Sequence, residues 1–357
     1  MKYLSPNFVG KIGIVCFWLL AIFVFLYAGQ FVSFFTQKKS INVLVWGQLL
    51  DKEFLYDFEK DTGIHVNMSY FENNEELFVK LQSSVNHDYD LIMPSDWAVQ
   101  LMIQEGLIKK LDHSKVHIWD NLYPALRNLY FDPHNAYSLP YYWTLFGPAV
   151  DTRYWQGKQP PATWGIIFDE RIMPPRICVM EDMRGLICIA ALYLFGRYDQ
   201  LGMQEVEQVK ALLLRQKQHV EIYTDSRPEY ILASGSVQVS VSWFGDFLKM
   251  MRQFDYIDFV IPQEGIFAAI DSFAIPATSK KDDLIYPFIN YLFSKDIVKK
   301  YVDKFDFFPA VKVDVTYDDD RFAGLTEPTP ELFAHVNFFK NVVSKKVLND
   351  VLISLKS

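Results

Sequence analysis

From residue 40 onward, short apolar runs alternate with stretches whose apolar residues recur at helical spacing. INVLVWG (41–47) is a β-branched run suited to a buried parallel strand, and LLDKEFLYDFEKDTG (49–63) places apolar residues three and four apart before a glycine stop. HVNMSYF (65–71) and ELFVKLQSSV (76–85) repeat the unit, and YDLIMPS (89–95) leads into WAVQLMIQEGLI (97–108). A second series follows YSLPYYWTLFGPAVD (137–151). RICVMED (176–182) runs into LICIAALYLF (186–195), EVEQVKALLLRQ (205–216) reads as a helix, and VQVSVSW (237–243) runs into GDFLKMMRQF (245–254). SFAIPATS (272–279) and LIYPFINYLFS (284–294) then read as a return to the first unit. This βαβ rhythm predicts an α/β fold with a mostly parallel sheet. A chain of 357 residues suits two lobes better than one.

The N-terminus has a different pattern. No charge occurs between Lys11 and Lys38, and the apolar run 12–35 is long enough to cross a hydrocarbon core of about 30 Å as a helix. It is longer than the usual core of a cleavable signal, so an uncleaved anchor and a leader cut near Ala28 and Gly29 both stay open. Cys16 lies in mid-run after Val15, which argues against a lipid-modified cysteine. Lysines flank the run on both sides and leave its orientation undecided.

The net charge of −8 and pI near 5.4 speak against a nucleic-acid surface and suit a cationic ligand. Cys178 and Cys188 lack ligand spacing, and with one in a strand and the other in the following helix they read as buried thiols. No G-x-S-x-G elbow, P-loop or H-E-x-x-H is present and the seven histidines are scattered, so the sequence indicates neither an enzyme nor a cofactor.

The candidate chemistry lies in four short segments: VLVWGQLL (43–50), DLIMPSDWAV (90–99), VSVSWFGDF (239–247) and PQEGIFAAIDSFAIP (262–276). Trp46, Trp97, Asp182 and Trp243 fall just after predicted strands, where ligands bind in open parallel sheets. Asp271 interrupts an apolar strand, where an ionised carboxylate is costly unless paired. Indole faces attract cations, and carboxylates facing ammonium groups form charge-assisted hydrogen bonds, so the set can bind an organic cation. Each residue also has a structural reading: the rings as core, Asp182 as a helix cap, Ser95 and Asp96 as the start of a helix, Glu72 as a solvated or capping charge.

In order and spacing, the four segments resemble the spermidine/putrescine-binding proteins of bacterial ABC importers, over about residues 41–310. The resemblance implies a bilobal periplasmic-binding-protein fold of type II kind, with strands crossing between lobes near 142–148 and 260–266. Residues 1–39 would be a leader or anchor, 40–145 plus about 266–310 one lobe, and about 146–265 plus 311–357 the other. It also implies a polyamine ligand, ABC permease subunits as partners, a location outside the cytoplasmic membrane and contact with that membrane through the N-terminal run. Trp46, Trp97 and Trp243 fall where the family stacks rings on methylenes, Asp182 and Asp271 where it binds ammonium groups, and Ser95 beside them. Departures are visible. Gly185 replaces a second acid, Ala269 replaces a ring, Gly47 and Leu49 stand where the family often has a hydroxyl and an aromatic residue, and KFDFFPAVKV (304–313) matches no tyrosine-containing turn. These departures leave open a shorter diamine, another cationic amine, a metal receptor using Tyr, His and carboxylate oxygens, or a membrane-anchored scaffold without ligand.

Overall fold

The computed structural model describes Trp18, residues 39–47, 49–50, 52–83, 88–305 and 308–314, Arg321, and residues 324–356. Apart from Trp18, the apolar run 12–35 and its proposed roles lie outside the described residues. Among the described residues no helix is long and apolar enough to cross a membrane.

Among the described residues, ten strands form one hydrogen-bonded sheet: β1 (Ser40–Trp46), β2 (His65–Phe71), β3 (Leu91–Ile92), β4 (Ser138–Asp151), β5 (Ile177–Val179), β6 (Val220–Tyr223), β7 (Val239–Trp243), β8 (Ile257–Phe259), β9 (Ile266–Ala274) and β10 (Val336–Phe338). Their order is β2-β1-β3-β9-β4-β7-β5-β6, with β10 beside β9 and β8 beside β4. Two parallel sets result. In one, β1 lies between β2 and β3, and in the other β5 lies between β6 and β7. The long antiparallel pair β4 and β9 joins them. The α/β architecture is as expected, but the sheet is mixed rather than mostly parallel, because β4 runs antiparallel to β7, β8 and β9, and β9 to β3.

The helices are α1 (Lys52–Thr62), α2 (Asn74–Ser83), α3 (Asp96–Gln104), α4 (Met183–Phe195), α5 (Met203–Gln216), α6 (Pro228–Ala233), α7 (Phe244–Gln253), α8 (Asp282–Leu292), α9 (Lys295–Phe305), α10 (Pro330–Phe333) and α11 (Lys345–Lys356). Gly63 ends α1 as its position predicts. Its φ of 68° is left-handed, and its N–H closes on the Glu59 carbonyl at 2.9 Å. Helix α4 is apolar nearly all round, so it is enclosed rather than amphipathic.

Two hydrophobic clusters fill the interior. The first gathers β1 to β3, α1, α8, α9 and the inner face of α7, and the second gathers β5, α4, α5, Trp164 and α11. The crossing strand β4 supplies both, with Leu139, Tyr141, Trp143 and Leu145 in the first and Phe146 and Val150 in the second. The outward crossing near 142–148 lies within β4. The returning strand is β9, and the segment 260–266 is largely the connection into it, with the Val260 N–H bonded to the Pro148 carbonyl at 2.9 Å. Cys178 on β5 and Cys188 on α4 are both reduced and buried. Burial pushes the Cys188 thiol up to about 11, so it stays protonated and inert at neutral pH.

Candidate functional site

Strand β9 puts Asp271 at the centre of the site. It pairs across the sheet with Tyr142 of β4, and an isolated bridge joins it to Ser95 at the start of α3. Ser95 occupies the N-cap position, yet its hydroxyl does not cap the helix. It donates to Asp271 Oδ1 at 2.6 Å. Asn74 holds Ser95 in turn, with its Nδ2 donating to the Ser95 hydroxyl at 3.2 Å and its Oδ1 accepting the Ser95 N–H at 3.2 Å. Burial raises the Asp271 carboxyl to about 6, against the lowering effect of the Ser95 hydroxyl and the Trp46 indole. The Trp46 N–H is buried and completes no hydrogen bond of good geometry, while its ring packs on Phe71 at 4.5 Å. Trp46, Ser95 and Asp271 therefore form one cluster.

Trp97 and Asp182 form a second grouping through a residue the sequence reading did not single out, Arg184. Asp182 caps α4 as predicted, accepting the Arg184 N–H at 3.0 Å, and its other oxygen accepts from the Arg184 guanidinium at 3.0 Å. That guanidinium lies 4.7 Å from the centre of the Trp97 ring. Trp97 sits within α3 of the first half and Arg184 on α4 of the second, so a cation–π contact joins the two halves. The space left by the expected acid at Gly185 is filled. A Cβ there would come within 2.5 Å of Met180 Cε and 2.9 Å of its sulfur.

Trp243 ends β7 and packs edge-on against Phe146 at 4.9 Å and Phe339 at 6.2 Å. It pairs with Phe146, four residues along β4 from the partner of Asp271, so both lie on one face of the sheet. Four residues along a strand and two strand spacings across put their Cα atoms on the order of 16 Å apart. Tyr142 extends toward the start of α7, its hydroxyl 3.4 Å from where a Cβ on Gly245 would sit. The segment at 308–311 runs beside β4, with Phe308 stacked on Tyr142 and on Phe244. Glu72 is exposed, as its solvated reading predicted.

A further acid belongs to the site. Asp96, only 3% exposed, accepts the Trp97 N–H at 2.6 Å through Oδ1, while its buried Oδ2 has no hydrogen-bond partner. Burial, reinforced by the charge of Asp271, raises it to about 8. Sequence offered one signal, an acid directly after Ser95, but a helix-start aspartate is ordinarily a solvated cap. Among the described residues no group of three or more His, Cys, Asp or Glu could hold a metal ion.

Residues 53–320 match the family described as bacterial extracellular solute-binding proteins. The spermidine/putrescine-binding periplasmic protein of Escherichia coli K12 is 30% identical over 266 residues, covering 72% of this chain and 74% of its own. The spermidine/putrescine-binding periplasmic protein 1 of Haemophilus influenzae is 29% identical over 262 residues, covering 73% and 72%. In fold, the chain matches the spermidine/putrescine ABC transporter substrate-binding protein PotD of Streptococcus pneumoniae with a TM-score of 0.76 at 22% identity, over 89% of this chain and 98% of that one. The fold is that of a periplasmic binding protein, and the chain is a binding protein rather than an enzyme. The chain belongs to the family of bacterial extracellular solute-binding proteins, with the spermidine/putrescine-binding periplasmic proteins among its relatives.

Proposed function

We propose that the protein captures a polyamine of the putrescine or spermidine class outside the cytoplasmic membrane and delivers it to the membrane subunits of an ABC permease. The observation that carries this reading is Asp271, an acid buried on the joining strand and answered only by the neutral donors of Ser95 and Trp46. A buried carboxylate without a countercharge is costly, and an ammonium group supplies one while the surrounding rings accept methylenes. The names of its relatives, which bind spermidine and putrescine, support the same ligand class.

In this reading residues 40–145 with 266–310 and residues 146–265 with 311–357 are the lobes that close over the ligand. The apolar run 12–35 provides export or anchoring. Calorimetric titration of the protein with putrescine, spermidine and cadaverine, with ferric ion and an amino acid as controls, tests it. Saturable binding of one amine is expected. Binding of ferric ion alone would replace it with a metal receptor, and silence toward every ligand would leave a scaffold.

A further inference from the structure

We propose that Asp96 is a second ammonium-binding carboxyl, acting with Asp271 on one amine nitrogen and substituting from α3 for the acid absent at Gly185. This rests on the polyamine reading above.

Buried polar atoms are ordinarily hydrogen-bonded, and an exception calls for a reason. Here two exceptions lie together: Asp96 Oδ2 and the Tyr130 hydroxyl are both buried without a partner. Asp96 directly follows Ser95, whose hydroxyl bonds Asp271; Asp96 feels the charge of Asp271, and Tyr130 feels that of Asp96. A primary ammonium brings three donors and one charge, which matches two carboxyl oxygens and a hydroxyl in acceptor orientation.

Arg184 does not already fill this role. Its charge reaches Asp96, but its hydrogen bonds go to Asp182 and its plane lies on Trp97. Asp96 is held up to about 8 despite it. On α4 the position of the family's second acid is Gly185, with the Met180 thioether packed beside it, so no acid compensates from there.

The pairing gives binding a proton stoichiometry. The groups facing Asp96 are Asp271 from β9, Arg184 from α4, and Tyr130 and Tyr198 from the connecting loops, with the Lys340 ammonium above both tyrosine rings. At pH 7 a carboxyl at about 8 is roughly nine-tenths protonated, whereas one at about 6 is mostly ionised. An arriving ammonium favours the ionised form, so the Asp96 proton leaves to solvent as the amine seats.

The test is titration calorimetry of the full-length protein with putrescine at pH 7 in two buffers of different ionisation enthalpy, repeated with Asp96→Asn, with thermal melts confirming folding. The wild-type protein is expected to release close to one proton per amine bound. Asp96→Asn is expected to bind about tenfold to a hundredfold more weakly, the range for a hydrogen bond to a charged group, and to release almost none. Amine binding with no dependence on buffer, or unchanged affinity and proton release in a folded variant, would overturn the role of Asp96 while leaving the polyamine reading intact. Silence of the wild-type protein toward every amine would overturn both. Should the variant fail to fold, the wild-type proton count decides alone.

Discussion

Asp271 and Asp182 lie in regions of opposite electrostatic economy. Around Asp271 the donors are neutral, the exposure is 8% and a second acid, Asp96, stands close enough to repel it. Around Asp182 the side chain is about one-third exposed, and the chain's own guanidinium has already hydrogen-bonded it and settled on Trp97. The first region is short of positive charge. The second holds, in Arg184, a cation over an aromatic ring and against a carboxylate, the arrangement an amine would adopt. An acid in a binding cleft therefore contributes affinity in proportion to the charge its neighbours leave uncompensated.

Three substitutions press on this contrast. Asp271→Asn removes the uncompensated charge of the first region, and on the proposed reading should weaken amine binding by about 1.5–3 kcal/mol in a titration. A loss below about threefold would transfer the main seat elsewhere. Arg184→Gln withdraws the internal cation, freeing Trp97 and Asp182. A triamine should then gain roughly tenfold over a diamine, since a cation–π contact with an adjacent acid is worth about 1–2 kcal/mol. Equal change for both amines would show that Arg184 only braces the two halves. Asp182→Asn should do least, under about threefold in affinity, because its charge is already spent on Arg184.

Stability sharpens the same contrast without any ligand. The folded chain keeps protons on Asp271 and Asp96 at pH values where the unfolded chain has lost them, so these two groups make stability fall as pH rises from about 4 through 8. In melts across that range, Asp96→Asn and Asp271→Asn should each flatten the decline. Equal slopes in both variants and the unsubstituted protein would mean that neither buried acid titrates abnormally.

Much of the fold was legible because buried parallel strands write themselves as β-branched runs. INVLVWG and VQVSVSW became β1 and β7, and the amphipathic stretches after them became α1 and α7. Strand β6, with two exposed residues in VEIY, and the short helix α6 left too faint a pattern to read. Asp271 was legible as a charge in an apolar strand. Asp96 was not, since its burial arises from a contact between α3 and β9, whose residues Ser95 and Asp271 lie 176 positions apart. Arg184 was equally silent: a cation two residues after Asp182 looks like a local pair until Trp97 arrives from the other half.

The methionine packed beside Gly185 constrains how this cleft can change its ligand. A side chain at position 185 would press on the Met180 methyl at 2.5 Å and sulfur at 2.9 Å, the far end of a flexible thioether that has to turn aside before an acid can stand there. Gly185→Glu is therefore coupled to the rotamer of Met180, and a shorter residue at 180 should make that acid easier to accept. One adaptable thioether thus sets how readily this part of the molecule can take on a new charge.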